Sequence, residues 1–246
     1  MAAVYDSIAQ QYKNTNELPF CQYIEEYTYL PLLGDLSGKS ILDLGCGEGR
    51  YTRKIKKKGA AQVVGVDISG KMIELARQEE KKKPLGIDYI VRDICELGEI
   101  DRFDMVVGSY FLNHAKTREE LLKMCQSIYI NLKPGGRFVT INNNSEQSPD
   151  SYSKTKKYGY TKSISGSLYE GAPITVTLTA AEGQEVSVVD YYLSNATHDS
   201  VFRSVGFKEI HWHPLSVSPE GIQELGQEYW QDFLDCETDV CIECMK

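Results

Sequence analysis

Several things that would place this chain quickly are missing from it. No stretch of about 18 apolar residues occurs, so no transmembrane helix is predicted. The start, MAAVYDSIAQQYKN, has neither a basic nor an apolar segment, so no secretion signal is predicted and a cytoplasmic location without membrane contact is expected. Basic residues are outnumbered by acidic ones, 27 to 35, giving a net charge of −8. Nucleic-acid binding draws mainly on positive charge against phosphate, so a sequence-independent DNA or RNA binder is disfavoured, although a local basic patch is not. Paired cysteines are missing too. The 7 cysteines are scattered at 21, 46, 95, 125, 236, 241 and 244, an odd number that suits a reducing compartment. Only Cys241-x-x-Cys244 has metal-like or redox-like spacing. With no second pair and no nearby histidine, the simpler reading is a terminal strand carrying two small buried side chains, and no metal is expected. Tryptophan and phenylalanine are few, 2 and 7, against 16 tyrosines.

What is present suits a packed core. The chain is 41% hydrophobic and 25% charged, near globular averages. Its 246 residues fit one domain plus an elaboration. Residues 1–37 read as a helical cap. Val4, Ile8 and Tyr12 recur on one helical face, and a second helical stretch runs from Phe20 to Leu33. From residue 38 to 142, short apolar strands alternate with helices. The strands begin at Ser40, Gln62, Ile87, Phe103 and Arg137. Helices over 51–58, 71–83 and 117–132 separate them, with Ser69 and Thr117 as N-caps. Such alternation means βαβ units and a parallel sheet. Residues 143–172 carry no strong periodicity and read as a long excursion. A hairpin over 174–193 turns at Ala181-Glu-Gly183. A short helix (197–205), a strand (207–213) and a last helix (220–234) complete the chain. The whole is expected to be a single domain with a cap (1–37), a cofactor-binding core (38–142) and a substrate-side elaboration (143–246).

The segment Ile-Leu-Asp-Leu-Gly-Cys-Gly-Glu-Gly, 41–49, carries the chemistry. A glycine-rich turn between the first strand and first helix lets a ligand approach the backbone, and helix N–H groups face it. Asp67 lies 22 residues after Gly45, at the end of the second strand, where a doubly wound fold places an acid on ribose hydroxyls. An adenosine-like cofactor at the switch point follows. The dinucleotide fingerprint needs a glycine at position 50, which is Arg50, and no phosphate-binding G-K-[ST] loop has the required spacing.

In this arrangement the chain resembles the class I S-adenosylmethionine-dependent methyltransferases. The resemblance is carried by ILDLGCGEG (41–49), VVGVDIS (63–69), RDI (92–94), FDMVVGSYFLNH (103–114) and LKPGGRF (132–138). It implies a Rossmann-like, doubly wound α/β fold with a seven-stranded sheet and an antiparallel last strand. It also implies roles. Gly45 and Gly47 line the methionine part of S-adenosyl-L-methionine, and Asp43 orients that loop. Asp67 binds the ribose hydroxyls, with Ile68 and Met72 against the adenine. Asp93 meets the adenine amino group, with Ile94 on its ring. Ser109 and Tyr110 stand beside the sulfonium and carboxylate. Tyr5 and Tyr12 resemble the aromatic first helix that closes over the cofactor in small-molecule members. His114 and Tyr110 are the candidate catalytic groups. A narrower likeness, in YDSIAQQY, GVDIS, the hairpin and the YWQDFL helix, is to toxoflavin-synthase-like enzymes, which N-methylate an azapteridine-type heterocycle.

Plainer roles stand beside these. Asp93 could cap the next segment, Tyr5 and Tyr12 could be core residues, and His114 could bond only to backbone. His211 and His213 share a strand face but lack a third ligand. The expected reaction is in-line displacement by a nitrogen or oxygen of a small molecule. Protein or nucleic-acid methylation, or cofactor binding without turnover, are the alternatives. No N-P-P-Y-type motif follows the fourth strand, where SYFL stands at 109–112. Finally, 12 of the 16 tyrosines fall outside 38–142, so an acceptor pocket walled by tyrosines is expected.

Overall fold

A computed structural model of the chain describes residues 4–180 and 183–246. The N-terminal segment opens with a single 3₁₀ turn over Val4–Ser7, followed by α1 (Ala9–Asn14). The sequence suggests one continuous helix there. Ile8, at φ −123°, breaks it and turns Tyr5 and Tyr12 edge to face, 5.0 Å apart. The second expected helix begins as a π-type turn, Cys21–Glu26, and continues as α2 (Tyr27–Leu32).

The alternating core then runs β1 (Ser40–Leu44), α3 (Arg50–Lys57), β2 (Gln62–Asp67), α4 (Gly70–Lys82), β3 (Ile87–Val91), β4 (Phe103–Ser109), α5 (Arg118–Ile130) and β5 (Leu132–Asn143). Ser69 and Thr117 cap α4 and α5 as expected, accepting hydrogen bonds from the amides of Met72 and Glu120. The Lys-Pro-Gly-Gly turn lies inside β5 as a bulge. There the register against β4 jumps from Leu132–Phe103 to Arg137–Met105.

Residues 143–172 are more regular than their sequence suggests. They include β6 (Tyr160–Ile164), which pairs with β7 (Pro173–Thr179), itself paired with β8 (Glu185–Tyr191), in a three-stranded antiparallel sheet. The β6 signal is hidden because Lys162, a charged residue, occupies a buried position of its alternation. The hairpin of β7 and β8 is as predicted, but Ala181 and Glu182 of its turn lie outside the described residues. The chain closes with α6 (Asn195–Val205), β9 (Lys208–Pro214), α7 (Pro219–Leu225), α8 (Gln227–Cys236) and β10 (Asp239–Met245). Gly226, at φ +85°, splits the single last helix of the sequence reading in two.

The main sheet has seven strands in the order β3-β2-β1-β4-β5-β10-β9, with β10 antiparallel to both neighbours. Both faces are covered, which is why its strands are runs of apolar residues rather than alternations. Leu42, Val64, Val106 and Phe138 pack on one side with α5 and α6. Their neighbours Ile41, Val63, Val107 and Val139 pack on the other with α3, α4 and Tyr29 of α2. The same alternation disposes of the cysteine pair. Cys241 and Cys244 lie on β10 in opposite cores, so the two thiols face away from each other. His211 and His213 share a face, their rings 6.2 Å apart, and His213 stands 3.3 Å from Glu243. No helix among the described residues is long and apolar enough to cross a membrane.

Candidate active site

The glycine loop follows β1 and opens α3. Gly45 and Gly47 have φ of +67° and +55°, the left-handed region that side chains resist. A Cβ on Gly45 would lie 2.6 Å from that of Phe111, whereas the space over Gly47 is open. Asp67, at the end of β2, holds this loop. One oxygen accepts from Gly47 N–H and the other from Ser69 N–H, both at 2.8 Å. Burial raises its pKa against the pull of those two amides. Asp43 lies beneath the loop, accepting from the Thr52 hydroxyl at 2.6 Å.

Burial pushes Asp43 up to about 7, offset in part by Thr52. An ordinary aspartate titrates near pH ~4. Between about pH 4 and 7 the folded chain therefore keeps a proton that the unfolded chain has released, and this group's contribution to stability falls as pH rises through that window. Asp43→Asn is expected to gain stability relative to the parent protein on going from pH 5 to pH 8, read by urea denaturation. An equal difference at both pH values would contradict this.

Every candidate of the sequence reading lines one cavity of about 230 Å³. Ile68, Met72 and Ile94 supply apolar wall. Asp93 does cap the next turn, accepting from Cys95 N–H at 2.8 Å, and it also lines the cavity. Ser109 ends β4. Tyr110 follows at φ +57°, uncommon for a bulky residue, and donates its hydroxyl to Glu25 at 2.7 Å. Tyr5 and Tyr12 close the cavity from the N-terminal segment. Asp6 fastens that segment by accepting from the Ser69 hydroxyl at 2.6 Å and the Lys71 amide at 3.1 Å, at the start of α4. His114 does not bond only to backbone: its Nε2 is 3.1 Å from the Tyr5 hydroxyl.

The other wall holds residues the sequence reading missed. Glu25 is 4% exposed and also receives the Tyr51 hydroxyl, at 2.9 Å; burial raises its pKa. Asp190, on β8, stands 3.4 Å from His114 Nδ1. Buried Lys162, on β6, donates to Gln147 Oε1 and the Thr238 carbonyl, both at 2.9 Å, and faces Asp239 at 3.7 Å. The expectation of a tyrosine-walled pocket is corrected. Of the 12 tyrosines outside 38–142, only Tyr5, Tyr12 and Tyr160 line the cavity. Tyr29 lies in the core, Tyr158 and Tyr229 pack on Trp230, and Tyr27 and Tyr169 are exposed. A phenol that can bury its ring and bond a carbonyl, as Tyr29 does to Gly108, serves a core as well as a pocket. Val176, Leu178 and Val188 of the inserted sheet take much of the wall instead.

These features fit an adenosine-type sulfonium cofactor. The backbone over Gly47 is accessible, a buried acid stands at the end of β2, and the Ile68–Met72–Ile94 surface is apolar. Residues 41–136 match the family model described as a methyltransferase domain. The chain is 37% identical over 112 residues to ubiquinone biosynthesis O-methyltransferase of Coxiella burnetii, covering 44% of this chain and 46% of that protein. It is 38% identical over 102 residues to ribosomal protein L11 methyltransferase of Burkholderia multivorans, covering 42% and 31%. The chain thus spans less than half the length of these curated relatives. Among solved structures, an S-adenosylmethionine-dependent methyltransferase from Mesorhizobium loti superposes with a TM-score of 0.66 at 20% identity, over 90% of this chain and 97% of that one.

Proposed function

We propose that this chain is a class I S-adenosylmethionine-dependent methyltransferase that transfers a methyl group to a nitrogen or oxygen of a small molecule such as a heterocycle. The observation that carries this is the continuity of the cavity. The loop residues Gly45 and Gly47, His114 of the same core, and Asp190 and Lys162 of the inserted sheet line the same space. The N-terminal segment and the inserted sheet cover it, which favours a compact acceptor over a polymer. The two curated relatives are named for a quinone pathway and a ribosomal protein, so a match confined to the cofactor half leaves the acceptor to be read from the rest of the chain.

When bound, the cofactor supplies a methyl group on a positively charged sulfur, an electrophile that needs no further activation. The chain's own residues then have to bind, orient and exclude water. Asp67 would accept from the cofactor's ribose hydroxyls and Asp93 from its adenine amino group, with Ile68, Met72 and Ile94 supplying apolar surface for the ring. Asp67 fixes the loop through Gly47 N–H, and Asp43 ties β1 to α3 through Thr52. Orientation of this kind supplies roughly 7–11 kcal/mol in favourable cases. Tyr5, Tyr12 and the β7–β8 valines shield the reacting centre from solvent.

The test is incubation of the purified chain with methyl-labelled cofactor and fractionated small-molecule pools that include nitrogen heterocycles. Label is expected in a small product. Label confined to protein or RNA, or none with every pool, overturns this reading.

A further inference from the structure

Asp190 is a buried carboxylate that comes from outside every motif of the cofactor half. It sits on β8, the edge strand of the inserted sheet, with Oδ1 facing His114 Nδ1 at 3.4 Å. Its other oxygen accepts from Asn143 Nδ2 at 2.7 Å. Asn143 ends β5, so the carboxylate is braced from the main sheet. Across the ring, His114 Nε2 stands 3.1 Å from the Tyr5 hydroxyl. All four residues line the cavity. Lys162, the nearby ammonium, makes its hydrogen bonds to Gln147 and Thr238 and faces Asp239. Burial pushes the pKa of Asp190 up, and the imidazole, Asn143 and the charge of Lys162 favour its ionised carboxylate against that push. A separation of 3.4 Å is long for a hydrogen bond, and acid–base pairs commonly tighten only once substrate is in place.

A neutral imidazole carries one proton, and its hydrogen-bond partners decide on which nitrogen. An ionised carboxylate only accepts, so the proton stays on Nδ1 and Nε2 presents its lone pair to Tyr5 and the cavity. We infer that Asp190 is a positioning residue that holds His114 with Nε2 as the proton acceptor. The site then takes acceptors whose reacting atom still carries a proton, a hydroxyl or the N–H of an amine or heterocycle. This rests on the methyl-transfer reading above.

The step balances. The acceptor's lone pair forms the bond to the methyl carbon as the S–C bond breaks with its electron pair left on sulfur. The acceptor's proton passes to the Tyr5 oxygen as the Tyr5 proton passes to His114 Nε2, and the bonding pair stays on the acceptor. The products are the methylated acceptor, a neutral thioether and an imidazolium. Asp190 offsets the charge formed on the ring without taking the proton, as the orienting carboxylate does in hydrolytic triads.

Long-range 1H–15N correlation on the 15N-labelled full chain at pH 8 reads the tautomer directly, with His114→Gln identifying the signals among the 4 histidines. The Nδ1–H form is expected to exceed the other by roughly tenfold or more in the parent protein, as a hydrogen bond to a charged group implies. The ratio is expected to fall to near unity in Asp190→Asn and to persist in Tyr5→Phe. A dominant Nε2–H form in the parent protein, or an unchanged ratio in Asp190→Asn, overturns the inference. If Asp190→Asn does not fold, the parent spectrum alone decides. Calorimetry with S-adenosylhomocysteine separates the two readings. Absence of binding sinks methyl transfer and leaves the tautomer result standing, whereas binding with His114 in the Nε2–H form sinks only the role of Asp190.

Discussion

Replacing Asp67 with alanine is expected to weaken binding of S-adenosylhomocysteine at least a hundredfold by calorimetry. Two hydrogen bonds from ribose hydroxyls to a charged acceptor are lost, at about 1.5–3 kcal/mol each. The structure adds a second reason. The same carboxylate accepts from Gly47 N–H and Ser69 N–H, so its removal also frees the glycine loop and the start of α4. Asp67→Asn tells the two effects apart. It keeps the side chain's size and one acceptor oxygen, so it restores part of the loop's anchoring without the charge. An intermediate affinity is expected. A pH dependence goes with this. Because burial raises the pKa of Asp67, the carboxylate protonates at less acidic pH than an ordinary aspartate, and ligand affinity is expected to fall as pH drops through that raised value. Unchanged affinity in Asp67→Ala would remove Asp67 from the site altogether.

The cofactor half was legible because its chemistry is local. The glycines follow the first strand directly and the acid and helix cap follow the second, so each signal is contained in its own turn, and βαβ topology brings successive strand ends to one edge. The other half depends on contacts across the chain that no spacing records. Glu25 meets Tyr110 from 85 residues away. Asp190 meets His114 through a sheet inserted after β5. A signal for both inserted charges does exist in hindsight. Asp190 continues the buried alternation of Val186 and Val188, and Lys162 that of Tyr160. A charged residue on the buried face of an alternating strand is costly unless paired, so its presence there points to a partner or a ligand. The tyrosines misled for a related reason: counting them by segment says nothing about which way each ring turns, and most turn into packing clusters.

Those clusters set the second large effect. Trp230→Ala is expected to lower stability by about 3–5 kcal/mol, the usual cost of truncating a fully buried aromatic. For a chain of this size that is a fall in Tm of roughly 6–20 °C. Trp230 is wholly buried and stacks parallel on Tyr158 at 5.4 Å, with its Nε1 donating to the Gly221 carbonyl at 2.8 Å. Tyr158 in turn donates to the Tyr229 carbonyl at 2.7 Å and accepts from Phe233 N–H at 3.0 Å. Phe20, Cys21 and Ile24 join from the N-terminal segment and Tyr160 from the inserted sheet. This cluster therefore joins α8 to the two segments that cover the cavity, and it is separate from the two cores of the main sheet. The loss should accordingly be local before it is global. Limited proteolysis of Trp230→Ala below its Tm is expected to cut within residues 15–35 or 143–172 while 40–140 stays protected. Phe138→Ala, which opens a sheet core instead, is expected to lose stability without that selective cutting. If both variants are cut alike, the covering segments fold as one unit with the sheet, and the acceptor half has no separate cohesion for Trp230 to supply.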